Sequence, residues 1–196
     1  MGTRNLTCVV KDKKFKVAQY CQWDGYPEGQ GADIVKFLKE EFDPEVFNEK
    51  LDTLVSFGTT DDLEKQWVEV GAKKGEGFVS LDVAKKLKKL YPENHRDTGA
   101  KILSIIQNTE KPIIISNAVD FSQDPTFCEW AYIIDLDEGI LEVYTGYSIT
   151  PDTPHENKFE QFGNNPVIFV AAFDISNLPD VEEFVKVVLD VVNSDE

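Results

Sequence analysis

The chain has 196 residues, 36 of them acidic and 20 basic, and its net charge of −16 repels polyphosphates and anionic membranes. Thirteen phenylalanines, six tyrosines and three tryptophans supply a real core and exclude a chain that is disordered throughout. With no signal-peptide core and no apolar run of membrane-spanning length, membrane association is not expected and a cytoplasmic location is the default.

Leu6, Cys8 and Val10 alternate with Asn5, Thr7 and Val9, which predicts a strand. A two-residue turn at Asp12-Lys13 would return it as a second strand. Phe15, Val17 and Gln19 then lie opposite Val10, Cys8 and Leu6 on one face, with Arg4 opposite Cys21 and Asn5 opposite Tyr20. The glycine-rich segment Gln22-Trp23-Asp24-Gly25-Tyr26-Pro27-Glu28-Gly29-Gln30-Gly31 follows and should sit beside this hairpin.

A helical stripe of Ile34, Val35, Leu38 and Phe42 ends before Pro44, and Asp43-Pro44 has the chemistry to start a second helix carrying Val46, Phe47, Leu51 and Leu54. Asp61 with Glu64 resembles a capping box for the stripe Leu63, Trp67, Val70. Gly71 to Gly77 is a break, after which Ser80 caps a helix that Pro92 stops. A further helix spans about 98–107, and Ile113-Ile114-Ile115 reads as a short covered strand.

The second hairpin runs through Trp130 to Leu136, turns at Asp137-Glu138-Gly139 and returns through Ile140 to Tyr144. Setting Leu136 opposite Leu141 pairs Ile134 with Val143, and opposes Asp135 to Glu142, which is unfavourable unless a cation intervenes. Residues 146–165 read as a polar loop with Pro151 and Pro154 and a short helical turn near Phe159 and Phe162. Val167 to Phe173 is a buried strand, and Pro179 at the first helical position starts a last helix packed through Val181, Phe184, Val185, Val188, Leu189 and Val192, with a fraying acidic tail.

This order lacks regular βαβ alternation. It predicts one α+β domain over residues 1–196: a mainly antiparallel sheet from the N- and C-terminal strands, helices packed against it, and residues 32–107 as a helical excursion.

Gly29-Gln30-Gly31 before a helix could offer backbone N–H groups to an anion, although no dinucleotide or P-loop fingerprint is present and Glu28 opposes a phosphate. Local turn geometry is the simpler role. Arg4, Gln19, Gln22, Asp24 and Tyr26 converge near the hairpin's open end and, with Gly29 and Gly31, are the candidate ligand-binding residues. An exposed Trp23 and Tyr26 on a loop that is not concave would mark a binding surface; a closed pocket holding Arg4 and Asp24 would mark catalysis.

Cys21 would serve as a nucleophile only if Arg4 stabilised its thiolate; a small core residue is the plainer role. The odd cysteine count (Cys8, Cys21, Cys128), with only His95 and His155 beside it, indicates neither a disulfide framework nor a zinc site. Glu110, Asp120, Asp124 and Glu129, and likewise Asp135, Asp137 and Glu142, read as a solvated acidic surface before they read as ligands of a hard cation. Dense lysines at Lys11, Lys13, Lys14 and Lys16 and at Lys85, Lys86, Lys88 and Lys89 read as solvated faces, so direct nucleic-acid binding is disfavoured.

The opening Gly2-Thr3-Arg4-Asn5-Leu6-Thr7, with Val17-Ala18-Gln19-Tyr20, the Gln22 to Gly31 loop and Glu129-Trp130-Ala131-Tyr132, resembles an uncharacterised family of small microbial and viral proteins. The resemblance implies a shared fold and marks the N-terminal loop. It carries no activity, and the usual glycine at the position of Cys21 weighs against a catalytic thiol.

The reading that follows is a cytoplasmic binding or regulatory protein, without cofactor or metal, that recognises a protein or small polar ligand through this loop. Two others compete with it: a small hydrolase or transferase built on Arg4 and Asp24, and an acidic mimic of nucleic acid.

Overall fold

Two hairpins from opposite ends of the chain share one sheet. The computed structural model describes residues 2–75, 79–150 and 155–194. Pro151 and Pro154, part of the Gly71 to Gly77 break and the last two residues of the acidic tail lie outside them. Strands β1 (Asn5–Lys11), β2 (Lys14–Cys21), β5 (Trp130–Asp135), β6 (Ile140–Thr145) and β7 (Ile168–Asp174) form a sheet in the order β2-β1-β5-β6-β7. Three of its four pairings are antiparallel, and β1 runs parallel to β5. The fold is thus α+β, with an antiparallel sheet drawn from both chain ends and helices packed against it.

The first turn falls at Asp12-Lys13, both at positive φ (53° and 58°), the geometry whose twist matches flanking strands. Past that turn the register departs from the expected one. Val10 opposes Phe15, but a bulge between Val9 and Val10 then sets Val9 against Val17, Leu6 against Tyr20 and Asn5 against Cys21. One extra residue moves every later side chain of β2 to the other face. Val17, Gln19 and Cys21 therefore point with Asn5, Thr7 and Val9, not with Cys8 and Leu6.

In the second hairpin the pairs are Ile134 with Leu141 and Ile133 with Glu142, two places from the expected register. The Asp135 carboxylate accepts from the backbone N–H groups of Asp137 and Glu138 at 2.8 and 2.9 Å, so the turn closes immediately after Asp135. Leu136 leaves the hairpin and donates its N–H to the Val10 carbonyl. A two-place shift keeps each residue on its face, so the aliphatic stripe survives and the direct opposition of Asp135 to Glu142 disappears.

The helical middle contains α1 (Ala32–Lys36), flanked by wider turns at Pro27–Gly31 and Phe37–Glu41, then α2 (Pro44–Thr53), α3 (Thr60–Glu69), α4 (Leu81–Leu90) and α5 (Lys101–Asn108). Asp43 caps α2 by accepting from the N–H groups of Glu45 and Val46, as its sequence implies. For α3 the cap is Thr59, not Asp61: its hydroxyl accepts from Asp62 N–H while the Asp62 carboxylate receives the Thr59 N–H. The Thr59 hydroxyl and Lys65 hold the Asp62 carboxyl down at about 2. Thr59→Ala should cost about 1 kcal/mol of stability, measured by urea unfolding.

A short strand within the excursion, β3 (Val55–Phe57), pairs in parallel with β4 (Ile113–Ile115). The last helix, α6 (Val181–Asn193), is capped by the Asp180 side chain, so Pro179 precedes the cap instead of opening the first turn. Phe184 and Val188 on α6 are fully covered, worth roughly 1.5–3 kcal/mol each.

Helices α1, α2, α5 and α6 cover one sheet face over a core that includes Val9, Val17, Ile34, Trp130 and Tyr132. The other face is closed by turns at Val119–Gln123 and Glu160–Phe162, whose Val119 and neighbouring Phe159 pack on Leu6, Cys8, Ile133 and Tyr144. Among the described residues no helix is long and apolar enough to cross a membrane.

Candidate functional site

The glycine-rich loop is held by its own backbone. Gly25 donates to the Thr3 carbonyl at 3.0 Å and accepts from the Tyr132 hydroxyl at 2.8 Å. The N–H groups of Gly29, Gln30 and Gly31, the ones an anion would need, donate instead to the carbonyls of Tyr26, Asp24 and Tyr26 at 3.0, 2.8 and 3.3 Å. With those donors spent, the segment is a built turn. Asp24 takes the left-handed conformation at φ 57°, which aspartate tolerates better than most residues.

Gly29 is required for closeness: a Cβ there would lie 2.2 Å from the Asp24 carbonyl oxygen. Gly29→Ala should therefore cost about 2 kcal/mol or more, read as a lowered urea midpoint, because the Asp24 backbone cannot swing away as a flexible side chain would.

The candidate residues divide around this turn. Gln19 points to the helix-covered face, while Gln22 accepts from the Tyr20 hydroxyl at 2.6 Å and its N–H donates to the Arg96 carbonyl. Arg4 lies over the Phe127 ring, 4.1 Å from its centroid, and its N–H meets a Glu129 carboxylate oxygen at 3.3 Å. Arg4 and Asp24 form no ion pair, and neither lines any of the principal clefts among the described residues. Gly31 is buried, where a Cβ would come within 3.0 Å of Phe184.

Cys21 is buried, and burial pushes its thiol up, so it is not held as a thiolate. Among the described residues no group of three or more His, Cys, Asp or Glu side chains could hold a metal ion.

What the loop does present is aromatic surface. Trp23 and Tyr26 are 43% and 48% exposed, with Phe127 at 44% and Tyr147 at 41%. The four gather where β1 and β5 begin and β6 ends. Trp23 packs on Gly2, Phe127 lies under Arg4, and Tyr147 stands edge-on to Trp130 at 5.8 Å. Burial, and then the nearby Glu129 and Tyr26, push the Tyr147 hydroxyl up.

Phe127 and Tyr147 did not figure in the sequence-based set. They flank the second hairpin, about 100 residues from the loop, and only the parallel pairing of β1 with β5 brings them to it. Compared with known proteins, the chain matches no family model, no curated protein and no solved structure.

Proposed function

We propose that the chain is a binding module that recognises a protein partner through Trp23 and Tyr26, with Phe127, Tyr147 and Arg4 around them. The observation that carries this reading is the exposure of large aromatics on a backbone already tied down by hydrogen bonds. Tryptophan, tyrosine and arginine dominate the energetic centres of interfaces, and a rigid loop spends little ordering entropy on binding. The hydrolase reading lacks such support, since among the described residues Arg4 and Asp24 form no ion pair and line none of the principal clefts. Three free, buried cysteines fit a reducing, cytoplasmic setting.

The test is site-specific photocrosslinking from position 26 in the native cell, paired with the Trp23→Ala/Tyr26→Ala variant. A partner crosslinked at that position should bind the double variant at least about 30-fold more weakly, with the melting temperature nearly unchanged because both side chains are exposed. Equal affinity for the double variant would remove the surface from consideration.

A further inference from the structure

The strand β2 is the outermost strand of the large sheet, its edge met at Ala18 by the Asn117-Ala118 segment, and beside it opens a cleft of about 510 Å³, within the size range of small-ligand sites. Tyr20 and Trp67 give it aromatic walls, and Lys85, Lys88 and Arg96 bring three cations to its rim. Lys85 and Lys88 are three apart on α4 and so share a face. Among the described residues neither lysine is in an ion pair, and Asp97, 3.3 Å from the Arg96 Nε, is the one acidic residue lining the cleft. A locally cationic recess in a chain of net charge −16 is not a sample of its average surface.

The floor is fixed. Asn94 spends its amide donors on the Gln66 side chain and the Ile114 carbonyl at 2.8 and 2.6 Å, and its oxygen accepts from Ser116 N–H at 2.8 Å. Next to it, the Nδ1 of His95 accepts the Asp97 N–H at 3.2 Å, which leaves the proton on Nε2. Burial holds the His95 imidazole below its ordinary value, consistent with that neutral form.

A second, independent feature points to a ligand. Gln19 lines the cleft and is 2% exposed; its amide nitrogen donates to the Tyr20 carbonyl, and its Oε1 has no partner. Thr7, directly opposite it on β1, is fully buried with its hydroxyl oxygen also unpartnered. An unmade hydrogen bond at a buried acceptor is costly, and a ligand hydroxyl would satisfy the one on Gln19 once its amide, which is closed to solvent, turns toward the ligand.

We propose that this cleft binds a phosphomonoester carrying hydroxyl groups, of sugar-phosphate size, with its dianion held by Lys85, Lys88 and Arg96 and a hydroxyl donating to the Gln19 Oε1. The cleft shares no lining residue with the aromatic surface around Trp23, so either can fail alone. It would explain why the bulge is useful: without it Gln19 would face away from the helices.

Titration calorimetry with ribose 5-phosphate, inorganic phosphate and ribose as probes tests the assignment. Ribose 5-phosphate should bind with a Kd below about 1 mM and at least about tenfold more tightly than inorganic phosphate, while ribose alone should bind more weakly still. Lys88→Glu and Arg96→Glu, both at exposed positions, should each weaken it by about tenfold or more without lowering the melting temperature. Gln19→Met should erase the preference over inorganic phosphate while leaving phosphate affinity in place. The assignment is overturned if no probe saturates below about 10 mM, if charge reversal leaves the affinity unchanged, or if inorganic phosphate binds as tightly as the sugar phosphate.

Discussion

Stability should fall steeply as the pH rises above 9, reaching a loss of about 8 kcal/mol near pH 11, comparable to the whole stability of many domains. Four deeply buried groups carry most of the effect. Burial, followed by the neighbouring Cys128, pushes the Cys8 thiol far above its ordinary 9.0, and burial does the same to Cys128, aided by Asp124 and Glu129. Burial likewise drives the hydroxyls of Tyr132 and Tyr144 far above 10.0, with Glu28 adding to the first and Glu142 to the second.

In the unfolded chain these groups lose their protons near 9 and 10; in the folded chain they keep them. The native state therefore binds more protons than the unfolded state at alkaline pH, and each group removes about 1.4 kcal/mol per pH unit above its unfolded value. Lys158 acts in the same direction. Burial alone would lower its pKa, but the hydrogen bonds and charges of Glu142 and Asp135 outweigh that and raise it, so its contribution is complete below 10.5 and disappears at still higher pH. Urea unfolding between pH 7 and about 11 measures the slope, and Cys8→Ala with Cys128→Ala should make it shallower by about two protons. A flat profile would mean that these groups are open to solvent.

The alternation in β1 and β2, the helical stripes and the Ser80 cap were all legible in the sequence, because each rests on contacts within a few residues. The failures have a common origin in interactions that local pattern does not carry. Nothing in Lys14-Phe15-Lys16-Val17 announces a bulge, and the alternation reads equally well without one until the helices choose which face Val17 must join. Val55-Ser56-Phe57 became a strand only because Ile113 to Ile115 lies alongside. In the candidate site, the loop could be located from its glycines, but whether its N–H groups were free depended on which carbonyls they met. The cleft beside β2 draws Gln19, Trp67, Lys88 and Arg96 from four separate segments, and the lysines by themselves look like any solvated helix face.

Lys158→Met should cost about 3–5 kcal/mol at neutral pH, the larger of the single-site effects, because it strands a buried charge. Glu142 is fully buried and Asp135 nearly so, on the sheet face away from the helices. Lys158 bridges them, bonding directly to Glu142 Oε1 and standing 3.1 Å from an Asp135 oxygen. It is the cation that two acidic residues on one hairpin require, supplied from a loop 16 residues beyond Glu142.

The two carboxylates are not equally exposed to its loss. Asp135 keeps the N–H groups of Asp137 and Glu138, whereas Glu142 retains the Tyr144 hydroxyl at 2.9 Å and His155 Nε2 at 2.9 Å. His155, stacked on Phe169 with centroids 3.7 Å apart, is fixed in place but delivers a full charge only when protonated. The penalty should therefore centre on Glu142, and Glu142→Gln added to Lys158→Met should restore part of the lost stability, a positive coupling that a double-mutant cycle in urea reads directly. If the second substitution restores nothing, the cost of the first lies in the packing of the lysine's methylene chain on the sheet and not in the charge it neutralises.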